Sequence, residues 1–109
     1  MKLYSGDKLI LTNVKFCKGF SKIIGLMFSK KLGDNEGLIL NKASGIHMLF
    51  VFQSMDVVWL DKNKAIIDKK ENVKPFNLLV KPKIKAYYVI EMPLGKAKLF
   101  KLGKKVYFR

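Results

Sequence analysis

Apolar residues crowd the middle of the chain. Residues 45–61, GIHMLFVFQSMDVVWLD, form its longest apolar region. By length and β-branched content this region predicts two buried strands, 46–52 and 55–60, joined near Gln53 and Ser54. Three polar side chains, His47, Gln53 and Asp56, lie inside it. A buried polar group needs a partner, so each is expected to be paired in the fold or turned toward a site.

The elements around this centre are short. Residues 8–17 read as one strand, or as two meeting at Asn13. At 21–28, Ser21 is an N-cap, and Ile23, Ile24 and Met27 follow at helical spacing. Gly25 weakens that helix by roughly 1 kcal/mol against Ala, so about two turns are expected. Residues 29–36 are a loop by their turn residues, 37–41 a short strand and 42–45 a turn. The polar turn 61–64 leads into a return strand, 65–73, whose lysines suit a sheet edge. Pro75 and Pro82 bracket an irregular segment. Residues 84–91 alternate, with Ile84, Ala86, Tyr88 and Ile90 on an apolar face and Lys85, Tyr87, Val89 and Glu91 on the other. A turn at 93–95, a helical turn or loop at 96–100 and a last short strand at 105–109 complete the chain. The sum is a mostly β fold, α+β at the margin. It is expected to be a compact single-domain β-barrel or sandwich of about six to eight short strands with one short helix near residues 21–28.

With 109 residues, half of them hydrophobic, the chain suffices for one core and one domain over residues 1–109. Cys17 is the only cysteine and His47 the only histidine. An intrachain disulfide is excluded, and neither a zinc site nor another cofactor is expected. Cys17 reads as a small core residue. The first residues show no apolar run of signal-peptide length, and no stretch reaches the roughly 18 apolar residues of a membrane span. The expectation is a soluble, cytoplasmic protein. The net charge of +14 is unevenly placed, with +3 on residues 1–61 and +11 on residues 62–109. Such a half invites an anionic partner: nucleic acid, an acidic protein or a lipid headgroup surface. However, all but one of the basic residues are lysine. Arginine is the residue favoured for bidentate phosphate and guanine contacts, and a lysine-rich surface also follows from composition alone.

Asp56 would serve as a ligand-binding carboxylate or general base, or structurally as an acceptor of backbone N–H bonds, the favoured role. His47 would serve as a general base or a metal ligand, or, the favoured role for a lone His between Ile46 and Met48, as a satisfied, partly buried imidazole. The two lie nine residues apart across the expected turn and would face each other if the strands pair. No nucleophile accompanies them in a recognisable context. Glu91 is expected on a polar face, neutralising lysines. Lys83, Lys85, Tyr87, Lys105 and Tyr107 offer phosphate contacts and stacking for single-stranded nucleic acid, with Tyr88 and Phe108 assigned to the core. Single scattered glycines exclude a glycine-rich phosphate loop.

Several segments together resemble the family of domains of unknown function numbered 192. Residues 24–28, IGLMF, are similar to its Gly-Leu-Met helix end, and a Gly-led apolar strand like 37–40 follows there too. Residues 46–52 resemble its aromatic and His-Met stretch. Residues 55–61, MDVVWLD, resemble its apolar-Asp-apolar-apolar-aromatic-apolar-Asp strand. Residues 88–95 are similar to its Tyr-Val-Leu-Glu element ending in Gly, and 102–106 to its closing Gly-Asp-x-Val. Ser54 stands where that pattern has a proline, Lys104 where it has an aspartate, and Leu49-Phe50 where many members carry Lys-Asn. The resemblance implies a compact, mostly β domain of about this length with no settled activity. The leading expectation is therefore a non-enzymatic, cytoplasmic domain that binds a small ligand or a protein through His47, Gln53 and Asp56. The alternatives are a nucleic-acid-associated protein acting through its lysine-rich half, and a hydrolase-like enzyme using His47 and Asp56.

Overall fold

The structure, a computed structural model, describes residues 1–18, 31–46, 53–76 and 80–109. In chain order its strands are β1 (Leu3–Ser5), β2 (Lys8–Leu11), β3 (Asn13–Cys17), β4 (Glu36–Asn41), β5 (Met55–Leu60), β6 (Ile66–Val73), β7 (Tyr88–Met92) and β8 (Val106–Phe108). Among the described residues one 3-10 turn, Ala97–Leu99, precedes β8. The strands form a three-stranded sheet in the order β2-β1-β8 and a five-stranded sheet in the order β3-β4-β7-β5-β6. Every pairing is antiparallel except β3 with β4. Among the described residues neither sheet closes on itself. Of the two expected architectures, the described residues therefore form the two-sheet, sandwich type. The helix expected at 21–28 and the strand expected beyond Ile46 lie outside the described residues. Ile46 itself pairs with Val80 through two backbone bonds of 2.8 and 2.7 Å.

The five-stranded sheet is buried on both faces, which is why its inner strands read as continuous apolar runs. All six residues of β5 are buried. Its inner face carries Ile39, Val58, Leu60, Ile90 and Met92, packed with Leu3, Leu11 and Phe100 from the other layer. Its outer face carries Cys17, Leu38, Leu40, Met55, Val57, Trp59 and Val89, with Ile46, Val80 and Ala86 packed on it. Gly37 lets β2 approach β4. A Cβ there would stand 2.8 Å from Leu11 Cδ1 and 3.0 Å from the Glu91 carbonyl oxygen.

Residues 8–17 form two strands, separated at Thr12. The return strand runs along the sheet edge as its lysines suggest. It bulges where Asp56 falls between the Met55–Val73 and Val57–Lys70 pairs, and Asn72 adopts φ 54° there. Lys69, on the same strand, donates from Nζ to the carbonyls of Ala97 (3.2 Å) and Phe100 (2.8 Å), holding the 3-10 turn. The alternation expected over 84–91 is overturned. The strand starts only at Tyr88, Ile84 is 63% exposed, and Val89 and Glu91 are buried. A strand paired on both sides and covered on both faces has no solvated face to fill.

Candidate functional site

At one end of the five-stranded sheet the exits of β4 and β5 meet the entry of β7. Tyr87 stitches them together. Its N–H donates to the Leu60 carbonyl (2.8 Å) and its carbonyl accepts from the Ala43 N–H (3.0 Å). Ser44 supports this seam from below. Its carbonyl accepts from Trp59 Nε1 (2.7 Å) and its Oγ from the Ala86 N–H (3.0 Å). Beside it, Asp61 builds the β5–β6 turn by accepting from the N–H groups of Asn63 (2.8 Å) and Ala65 (3.0 Å) at Oδ1. The turn presents Lys62 to solvent. A cleft of about 490 Å³ opens among these pieces, lined by Lys42, Asp61, Lys62, Lys85, Ala86 and Tyr87. Lys42 is held at φ 52°, a left-handed conformation that costs a non-glycine residue of order 1 kcal/mol. Three ammonium groups against one carboxylate leave the cleft positive.

Aromatic rings continue from its wall. Tyr87 meets Tyr88 edge-on at 4.8 Å, Tyr88 meets Phe108 at 5.5 Å, and Phe108 meets Phe16 at 5.9 Å. Lys64 Nζ lies 4.4 Å from the centre of the Phe108 ring. All four rings are half-buried, so Tyr88 and Phe108 sit at the margin of the core and not within it.

Asp56 is buried on the inner side of β5. Its Oδ1 accepts from the Asn72 N–H (2.9 Å) and its Oδ2 from those of Gly95 (2.9 Å) and Ala97 (3.0 Å). One carboxylate thus ties β5 to the bulge of β6 and to the turn after β7. Gln53 Oε1 accepts from the N–H of Leu32, which packs on the outer face. The bonds of Asp56 and Gln53 therefore run to opposite faces of the sheet, and His47 lies outside the described residues. Of the nucleic-acid candidates, Lys85 and Tyr87 share the cleft. Lys83 is fixed through its N–H to Asp68 Oδ2 (2.9 Å), and Lys105 bridges to Ala65. Tyr107, paired with Tyr4, lines a separate cleft of about 220 Å³ with Gly6, Asp7 and Arg109. Among the described residues no group of three His, Cys, Asp or Glu side chains is placed to hold a metal ion.

Glu91, expected on a polar face among lysines, is buried instead. It is 4% exposed on the outer face of β7, between Leu38 of β4 and Val57 of β5, and its Oε1 has no hydrogen-bond partner. Burial pushes its pKa from 4.5 up to about 7. Cys17, buried on the same face, has its thiol pushed up chiefly by burial, with Lys15 lowering it and Glu91 raising it further. The signal for Glu91 was an acid set among Val89, Ile90 and Met92, masked by the lysine and tyrosine before them. Lys42 and Lys62 carried no signal, because only the meeting of two distant turns brings them together.

The family's sequence profile, described as DUF192, Uncharacterized ACR, matches residues 7–108. A UPF0127 protein of Thermococcus sibiricus is 35% identical over 80 residues, covering 70% of this chain and 51% of the relative. One from Pyrococcus furiosus is 35% identical over 92 residues, covering 81% of this chain and 78% of the relative. The chain thus spans about half the length of the Thermococcus sibiricus relative and more of the Pyrococcus one. Two crystal structures share the fold, each with a TM-score of 0.83. A protein of unknown function from Novosphingobium aromaticivorans is 19% identical, covering 98% of this chain and 82% of that one. A putative transcription regulator from Sinorhizobium meliloti is 17% identical, covering 97% and 89%. With its matched segments in order and its fold in common, this chain belongs to the DUF192 family.

Proposed function

We propose that the protein is a non-enzymatic β domain that binds a small organic anion in the cleft of Lys42, Lys62 and Lys85. The observation that carries this reading is the cleft. Its volume of about 490 Å³ falls in the range of roughly 300–1,000 Å³ usual for small-ligand sites. Ammonium groups are strong donors to a carboxylate or phosphate. Ala86 and the Tyr87 ring supply an apolar wall beside them. Asp56 and Gln53 serve the fold in this reading, since both already accept backbone N–H bonds. The test is calorimetric titration with inorganic phosphate, citrate and adenosine monophosphate, on wild type and on a Lys62→Glu, Lys85→Glu double variant. Both lysines are exposed, so the variant should keep its melting temperature. Citrate or adenosine monophosphate should saturate the wild type more tightly than inorganic phosphate and bind the variant tenfold or more weakly, about 1.4 kcal/mol. No saturable binding, or equal binding by both proteins, would sink the proposal.

The ring row supports a second reading, single-stranded nucleic acid. Bases stack on aromatic rings for roughly 1–3 kcal/mol each, and Lys62, Lys64 and Lys85 lie where phosphates would pass. Binding of labelled oligothymidylate across a salt series separates the two. Retention at about 0.15 M salt with loss on Tyr87→Ala would favour the strand. Disappearance by that strength would leave only a charged surface.

A further inference from the structure

Glu91 stands apart from the lysine cleft, near the other end of β7. Its neighbours across the sheet, Leu38 and Val57, are aliphatic, as is Val89 two residues back on the same face. Lys15 and Lys70 end this cross-strand row on the two edge strands, both exposed. Cys17 is the other titratable group facing it among the described residues. A buried carboxyl oxygen with no donor is rare in folded proteins and costs stability. A leucine or methionine in this position would make the more stable sheet. The described residues packed on this face from outside the sheet, among them Leu32, Ala43, Ile46 and Val80, belong to loops and one isolated bridge. Such a cover opens more readily than a paired strand.

We propose that the outer face around Glu91 is a second binding site, for a small apolar molecule carrying one ammonium group, with Glu91 Oε1 as its counter-ion. The oxygen is an acceptor without a donor, and a cation lets the pair enter an apolar site with no net charge. Leu38, Met55, Val57 and Trp59, buried on this same face, suit an apolar body. One unpartnered carboxyl oxygen calls for one ammonium group. The elevated pKa agrees with a carboxyl held ready for such a partner. By linkage, the ammonium ligand binds the ionised carboxyl and so drives the proton off it.

Hexylamine, with hexanol and hexanoate as neutral and anionic counterparts of the same length, provides the test. Trp59 is the only tryptophan and lies on this face; its Nε1 also bonds Ser44 beside the lysine cleft, so the Glu91 titration is what tells the two sites apart. Hexylamine should saturate the signal at pH 8 and bind at least tenfold more weakly at pH 5. It should also lower the Glu91 carboxyl titration, followed by carbon-13 NMR, by a unit or more. Hexanol and hexanoate should do neither, and Glu91→Gln should abolish hexylamine binding. Equal response to hexylamine and hexanol, an unmoved Glu91 titration, or full binding by Glu91→Gln would each overturn the proposal. The NMR titration uses wild-type protein, so it stands even where the variant folds poorly. It is also indifferent to Lys62 and Lys85, so its failure is separate from that of the anion cleft.

Discussion

Asp56 is next in sequence to Val57, the cross-strand partner of Glu91, yet the two carboxyls meet different surroundings. Asp56 turns inward to three backbone N–H groups. Bonds to a charged acceptor are worth roughly 1.5–3 kcal/mol each, and losing the acceptor leaves buried donors unmet. Asp56→Ala should therefore lower unfolding stability by about 3–5 kcal/mol, read from urea midpoints, with Asp56→Asn intermediate. Glu91 turns outward to aliphatic neighbours and gives a pH signature. The unfolded carboxyl titrates near 4.5 and the folded one near 7. Between these values the folded protein keeps a proton that the unfolded chain has released. The contribution of Glu91 is therefore full below pH 4.5 and is lost as the pH rises through 7, by about 3 kcal/mol at most. Urea unfolding at pH 5 and pH 8 should show wild type losing more stability than Glu91→Gln; equal losses would refute the assignment. Asp56 was legible as a polar residue in an apolar run. Which face each carboxyl meets was not, because a run with no alternation does not mark its two sides.

At the scale of elements, strands 37–41, 55–60 and 65–73 were legible in their apolar content and turn punctuation. β1 was not. It has three residues, of which only Leu3 is buried, and it exists through its pairing with β2 on one side and β8 on the other. β7 was misjudged at its start because a lysine and a tyrosine extend its alternation into an irregular segment. Gly37 shows a constraint that no periodicity reveals. With Leu11 and the Glu91 carbonyl so close, Gly37→Ala should destabilise by about 1–3 kcal/mol, even though alanine suits a strand's backbone no worse than glycine. A denaturant midpoint at or above the wild-type value would show that β2 can shift aside.

For the whole molecule, the question is whether a charge of +14 has a direction. The sequence placed the excess in the second half of the chain. The structure brings one lysine from the first half, Lys42, together with Lys62 and Lys85, so the cleft straddles that division. If the cleft and rings hold a single strand, the logarithm of the binding constant should fall with the logarithm of salt at about −0.7 per phosphate contacted. Charge-reversing Lys62 and Lys85 should then remove about two contacts, roughly −1.4 from the slope, while reversing Lys98 and Lys101 should leave it nearly unchanged. Equal effects of the two pairs would mean that the charge acts only as a diffuse field.

β1 pairs with β8, and Lys2 and Arg109 exchange backbone bonds of 2.8 and 3.1 Å. Of the described strands, the earliest in sequence thus waits for the latest. The five-stranded sheet lacks only β7 once β6 has emerged, but the smaller layer cannot close until β8, about a hundred residues after β1, has been made as well. Until then Leu3, Leu11 and the inner face of the larger sheet have no mutual cover. Contacts so distant along the chain form slowly, and newly made protein is most open to aggregation and proteolysis in that interval.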